Sequence, residues 1–246
     1  MPHLFETLLS LQSVRHPDEL AASIESIITG LGFDYYRLAI IIPLSHQRPI
    51  IRIFNSCPSE WVARYNQLNL IVIDPVVAAA QQQITPIRWD ELRAGEEAMV
   101  VMSEAAEFGL RAGVSYPLHG PAGERGVVSF ITEARNPSLY IERAGELAMV
   151  VPFVLEAVLR LCRPVAKRGL NGAETACLRW VSEGKCSEAI GIIMGIPERT
   201  VNYHLQRACR KLGAANRYQA VARAVQAGEV AISFDEVRII DYGKGR

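Results

Sequence analysis

The rhythm of apolar and polar positions divides the chain into segments of two kinds. Leu4, Leu8 and Leu9, then Ile24, Ile27 and Ile28, recur at helical spacing, so residues 3–31 read as two helices, the second closed by Gly32. Tyr36–Ile42 is rich in aromatic and β-branched residues and Ile50–Phe54 continues the pattern; both read as strands. Helices are predicted at Ser59–Gln67, with Pro58 suited to its first turn, at about Val76–Gln83 behind Pro75, and over residues 96–108. Gly113–Leu118 and Gly126–Thr132 flank a Gly120–Gly123 turn and predict a hairpin. A long apolar helix is expected over about Ile141–Cys162, kinked at Pro152. Helices around a run of strands predict an α/β sandwich, an antiparallel sheet flanked by helices.

Arg163–Gly169 then reads as a linker, and the strand pattern does not return. The expected division is a domain over residues 1–162, the linker 163–169, and an all-helical domain over 170–246. In the latter, Asn171 and Glu174 are spaced as an N-cap and its capping-box partner. That helix turns Cys177, Leu178 and Val181 inward and ends near Gly184. Ser187 is placed to cap a short helix carrying Ala189, Ile190 and Ile193 inward, Gly195 breaks it, and Pro197 opens a third helix, Glu198–Leu212. Helix, glycine-containing turn and helix is the spacing of a helix-turn-helix.

Charge sharpens this picture. The formal net charge is zero, yet between Arg163 and Val230 eleven basic side chains face five acidic ones, an excess of six that residues 1–162 offset. A basic module on an acidic remainder points to an anionic partner for the module alone. Its third helix has two faces: Val201, Leu205, Ala208 and Leu212 form a buried stripe, whereas Arg199, Asn202, Gln206 and Arg210 form a polar one. Asn and Gln can make two hydrogen bonds to adenine in the major groove, and Arg can do so to guanine or hold a phosphate. Thr200 and Lys185 suit phosphate contacts that set register. Residues 170–228 resemble the LuxR-type helix-turn-helix domain in Leu170, Glu174, Trp180, Gly184, Lys185, Ile190, the run Thr200–Leu205, and Lys211-Leu212-Gly213. Ala189 and Pro197 depart from the family's usual Glu and Ser or Thr. The resemblance implies that Asn202 and Gln206 read bases.

In the first domain, Trp61 and Tyr65 are four apart and share a helix face, each joining a large apolar body to one donor. Asp74 stands among Leu70, Ile71, Val72, Ile73, Val76 and Val77, where a carboxylate is costly to bury without a partner. From the residues alone two accounts stay open: aromatics in a core with Asp74 capping a helix before Pro75, or a ligand pocket in which Asp74 accepts from an amide. The succession Cys57-Pro58, Trp61, Tyr65, Asp74-Pro75, Trp89, Gly113 and Pro117-Leu118-His119-Gly120 resembles the acyl-homoserine-lactone-binding domain of LuxR-type quorum-sensing regulators.

That resemblance implies a small-molecule ligand, an N-acyl-homoserine lactone, and no cofactor or metal. Trp61 would donate to the lactone carbonyl, Asp74 would accept from the amide N–H, Tyr65 and Trp89 would wall the pocket, and Ser129 would donate to the amide carbonyl. Leu38, Ile40, Val72 and Val76 are the expected acyl-chain contacts. Cys57 replaces a common Tyr that would bond the same carbonyl, and Leu70 replaces a common aromatic. Further expectations are a homodimer built partly on Ile141–Cys162, a palindromic site on double-stranded DNA, RNA polymerase as a partner, and a cytoplasmic location. The alternative is a solo LuxR-type regulator that responds to foreign or non-lactone signals or acts without ligand.

Other classes find little support. The five cysteines show no CxxC or Cys/His metal spacing, His3, His16, His46, His119 and His204 are scattered, and neither a phosphate-cradling glycine loop nor an ordered Ser/His/Asp motif occurs, so an enzyme is not expected. The first residues lack the basic start of a signal peptide, and no apolar run approaches the ~20 residues of a membrane span.

Overall fold

Strand parity organises the first part of the chain. In a strand successive side chains point to opposite faces; along Tyr35–Ile42 (β1) Tyr36, Leu38, Ile40 and Ile42 are buried, whereas Arg37 and Ala39 are half-buried and Ile41 is exposed. The computed structural model describes residues 4–42, 50–134, 137–162 and 169–230, which fall into two compact units, Met1–Pro164 and Val165–Arg246. Residues 163–168 of the predicted linker and the tail 231–246 lie outside the described residues.

The first unit contains, in chain order, α1 (Leu4–Ser10), α2 (Pro17–Gly30), β1, β2 (Ile50–Asn55), α3 (Ser59–Gln67), α4 (Pro75–Ala80), β3 (Ile87–Arg88), α5 (Glu96–Glu107), β4 (Ala112–His119), β5 (Arg125–Thr132), α6 (Pro137–Glu142) and α7 (Ala144–Cys162). The sheet is ordered β2-β1-β5-β4-β3, antiparallel at every junction. One face, with Tyr36, Leu38, Ile40, Phe54, Tyr116, Val128 and Phe130, packs in one core with α1, α2 and α7. Each such fully buried large side chain stabilises the fold by about 1.5–3 kcal/mol. The other face carries Ile131 and Val127, and residues of α3, α4 and α5 pack there.

The expected sandwich is present, with local differences. Leu9 is exposed and Leu11, in the 3-10 turn Leu11–Ser13, fills the core instead. α4 ends at Ala80, short of Gln83, and β3, at two residues, is too brief to carry a periodic signal. The segment expected as one helix from Ile141 is two, α6 and α7, and α7 runs through Pro152.

The second unit is helical: α8 (Gly172–Ser182), α9 (Ser187–Met194), α10 (Glu198–Leu212) and α11 (Arg217–Gln226). The predicted capping box forms: Asn171 Oδ1 accepts from the Glu174 amide, and the Glu174 carboxylate accepts from the Asn171 amide, both at 2.9 Å. Cys177, Leu178, Val181, Ile190, Val201, Leu205 and Ala208 meet Ala220 and Ala224 of α11 in one small core. Gly195 ends α9 at φ 65°, a left-handed turn that side chains disfavour and that re-aims the chain into α10. Two expectations for α9 fail. Cys186, not Ser187, is its N-cap, and Ile193 is exposed. Ser187 is instead buried, one residue inside the helix.

Candidate functional site

The open side of the sheet holds the candidate ligand site. Cross-strand register sets Asn55, Arg37, Ser129 and Ser115 in one row across β2, β1, β5 and β4. Above that row lies a cavity of about 70 Å³ whose wall includes Trp61, Tyr65, Asp74, Val76, Trp89 and Ser129. Six of the predicted ligand residues, from α3, α4, β5 and the segment after β3, thus meet around one void. A second cleft of about 290 Å³ shares Ala39, Ile71, Val77 and Val127 with it and extends past Ile41, Ile51 and Ala80. Ile41 and Ile51 are exposed, so this cleft reaches the surface.

Asp74 is the helix cap that one account foresaw, and it also lines the cavity. Its Oδ1 caps α4, accepting from Val76 and Val77 at 2.8 and 3.4 Å, and its Oδ2 accepts from the Tyr65 hydroxyl at 2.8 Å while the residue lines the cavity. Burial raises its pKa; the bonds from Tyr65, Val76 and Val77 and the charge of Arg37 oppose the rise. Burial and the neighbouring Asp74 push the Tyr65 phenol up, so it stays a donor. Trp61 packs edge-on to Tyr65, ring centroids 5.5 Å apart, and against Phe108 at 5.7 Å. Among the described residues its indole N–H has no hydrogen-bond partner.

The Trp89 indole is already engaged: its N–H donates to Ser115 Oγ at 2.8 Å, and Ser115 and Ser129 share a hydrogen bond of 2.7 Å. With Ser115 donating onward, the Ser129 hydroxyl keeps its own proton for the cavity. Gly113 makes room for this arrangement, since a Cβ there would lie 2.7 Å from the Phe130 carbonyl oxygen and 3.2 Å from the Trp89 ring.

Four predicted contacts fall elsewhere. Leu38 and Ile40 are fully buried on the opposite face of the sheet, one residue out of phase; Arg37 and Ala39 line the cavity in their place. Val72 is 74% exposed, because residues 70–72 form a 3-10 turn that swings it outward, and Ile71 lines the cavity instead. Cys57 lies beside Trp61 in the core but outside the cavity wall; its thiol donates to the Tyr36 carbonyl at 3.6 Å, and burial pushes its pKa up to about 11. Arg37 was missed. Its signal in the sequence is a lone charge in the apolar run Tyr35–Ile42.

In the second unit, Arg199, Gln206 and Arg210 are exposed on α10, Thr200 and Asn202 are half-buried there, and Lys185 is exposed ahead of α9. Asn202, Gln206 and Arg210 line a groove of about 480 Å³ together with Arg217, a cation that sequence reasoning did not select. The carbonyl oxygen of Asn202 is used inside the unit, accepting from Ser187 Oγ at 2.7 Å and from Arg217 Nη2 at 3.4 Å. Beneath α10 the fully buried Glu174 carboxylate holds Lys211 at 2.6 Å and Arg207 at 3.2 Å. Burial alone would raise Glu174, but Lys211, the Asn171 amide and Arg207 hold it below the usual carboxylate range.

Comparison with known proteins gives a family for each unit. The family described as "Autoinducer binding domain" matches residues 16–158, and that described as "Bacterial regulatory proteins, luxR family" matches residues 170–224. The transcriptional activator AhyR of Aeromonas hydrophila is 43% identical, over 98% of this chain and 97% of its own. LuxR of Aliivibrio fischeri is 28% identical, over 92% of this chain and 94% of its own. The crystal structure of Escherichia coli SdiA superposes with a TM-score of 0.77 at 27% identity, covering 93% of this chain and 98% of SdiA. With a cavity against one sheet face in one unit and a basic helix-turn-helix in the other, the chain belongs to the LuxR family of autoinducer-binding transcription regulators.

Proposed function

We propose that the protein senses an N-acyl-homoserine lactone through residues 1–162 and, as a homodimer, binds a palindromic DNA site through residues 170–246. The observation that carries the ligand reading is the pairing, on one cavity wall, of an indole N–H without a protein partner and a buried carboxylate. A lactone carbonyl satisfies the first and an amide N–H the second. Trp61 and Asp74 then fix the head group, Tyr65 and Trp89 enclose it, and Ser129 faces the amide carbonyl. The acyl chain follows Ala39, Ile71, Val77 and Val127 into the adjoining cleft. Ligand bound only by the folded state stabilises it by mass action.

For the dimer, Phe5 and Leu9 are exposed on α1, and Phe5 meets Phe153 of α7 edge-on at 5.8 Å. This apolar ridge suits a second copy. A dimer sets two copies of α10 in successive major grooves about 34 Å apart. Gln206 and Asn202 face bases, while Arg199, Thr200, Arg210, Lys185 and Arg217 hold phosphates and register. Polymerase recruitment from such a site, in the cytoplasm, completes the reading.

Expression with and without a panel of acyl-homoserine lactones, then mass spectrometry of the purified protein and DNA-binding assays, tests it. Ligand-dependent yield and a copurified lactone are expected; equal yield with no bound lactone, or sequence-blind DNA binding, refutes it. A second reading, a non-lactone acyl ligand, is favoured by a solved structure described as SdiA in complex with octanoyl-rac-glycerol, 28% identical over 94% of this chain with a TM-score of 0.77. The same mass spectra separate the two, since a glyceride lacks the amide nitrogen.

A further inference from the structure

We propose that Arg37 is a specificity-determining residue that donates to the acyl carbonyl of the ligand; this rests on the acyl-homoserine-lactone reading above. Arg37 lines the cavity from β1, where it is the cross-strand neighbour of Ser129. Its guanidinium carbon lies 4.7 Å from the centroid of the Tyr65 ring, the ring whose hydroxyl holds Asp74. Its Nη1 is buried with no hydrogen-bond partner. The arrangement is not an ordinary ion pair: Asp74 takes its bonds from Tyr65, Val76 and Val77, and among the described residues none comes from Arg37. A buried charged donor left unpaired costs more than a neutral one, and an oxygen arriving in the cavity removes that cost.

Position identifies the oxygen. The next residues of β1 on the same face are Ala39 and Ile41, about 6.6 Å apart along the strand. Arg37 therefore stands where the polar end of the cavity, with Trp61 and Asp74, gives way to the apolar end. In a trans amide the N–H and C=O point in opposite directions. An N–H aimed at Asp74, in the helical layer, sends its carbonyl toward the sheet, where Arg37 and Ser129 lie side by side. A carbonyl oxygen has two lone pairs and accepts from both. Cys57, at the position where the family often has a Tyr, cannot serve, because its thiol is committed to the Tyr36 carbonyl.

The test is a cycle of protein against ligand variants, read as dissociation constants by calorimetry. The ligands are hexanoyl-homoserine lactone and its thioamide analogue, in which the carbonyl oxygen alone becomes sulfur, a weaker acceptor. Wild-type protein is expected to bind the thioamide about tenfold more weakly, losing about 1.4 kcal/mol. In Arg37→Met this oxygen-over-sulfur ratio shrinks to about twofold, with Ser129 the remaining donor; Arg37→Lys, which keeps charged donors, holds most of it. Should Arg37→Met fail to fold, Arg37→Gln, smaller and uncharged but still a donor, gives an intermediate ratio. An unchanged ratio in a variant that still binds the lactone overturns the role of Arg37 and leaves the lactone reading standing. Failure of wild-type protein to bind either compound overturns both.

Discussion

An asparagine at position 74 separates the two duties of the native carboxylate. Its remaining oxygen can still accept from Val76 and Val77, as Oδ1 does at 2.8 and 3.4 Å. Its new NH2 group faces Tyr65, whose hydroxyl sits 2.8 Å from Oδ2 and can accept as well as donate. The fold should lose less than the ~1 kcal/mol typical of a deleted cap. Ligand binding should suffer far more. A hydrogen bond to a charged acceptor, about 1.5–3 kcal/mol, is replaced by N–H facing N–H, so affinity falls by about 10- to 100-fold or more. At lactone concentrations a hundred times the wild-type Kd, ligand stabilises the native protein by about 2.7 kcal/mol and a hundredfold weaker variant by only about 0.4 kcal/mol. In a unit of this size about 1 kcal/mol moves Tm by roughly 2–4 °C. Thermal unfolding with and without ligand should thus show a shift of about 5–10 °C in the wild type and about 1–2 °C in Asp74→Asn. Asp74→Ala, which also strands the Tyr65 hydroxyl, should lower unliganded stability by about 2–4 kcal/mol. An Asp74→Asn protein with the full wild-type shift would show that the carboxylate is only a cap.

Four other outcomes are expected. Glu174→Ala, which leaves Lys211 and Arg207 facing an empty buried site, should destabilise the helix-turn-helix unit by about 3 kcal/mol, seen as lost amide-exchange protection in α8 and α10. Because the folded-state pKa of Glu174 is depressed, its stabilisation is present above the ordinary carboxylate range and disappears as pH falls through the depressed value, a loss that Glu174→Gln should not show in an acid titration of stability. Gly113→Ala should displace Trp89 and β5, costing about 1–3 kcal/mol and weakening ligand binding; wild-type melting and affinity together would count against the close packing. On DNA, Arg210→Ala should weaken all sequences alike and lower the salt slope by about 1, whereas Gln206→Ala should relax preference at one base pair by about 1–3 kcal/mol; identical effects of the two changes would contradict the division of labour on α10.

The sequence carried the architecture well where one residue type can do one thing. Asn171 with Glu174, Asp74 before Pro75, and Val201, Leu205 and Ala208 on one stripe of α10 stand where their chemistry required. It misled where two readings differ by one position. β1 is packed on one face and lines a cavity with the other, so both faces are largely apolar, and Leu38 and Ile40 look as suited to a ligand as Ala39 does; only the charge of Arg37 marks the parity. Val72 was lost to a 3-10 turn whose three-residue period matches neither template. Ser187 resembles a cap, but its hydroxyl finds a better acceptor in Asn202 across the motif, a contact that local spacing cannot reveal.

That contact limits what α10 can ask of a duplex. A carboxamide whose oxygen is held by Ser187 and Arg217 has only its NH2 to offer, so it probes for lone pairs and gives none in return. Purine N7, guanine O6 and thymine O4 all answer such a probe, and the two-point clasp that singles out adenine is beyond it. Any liking for adenine must then come from Gln206, a turn along the same helix, whose exposed amide has no hydrogen-bond partner among the described residues.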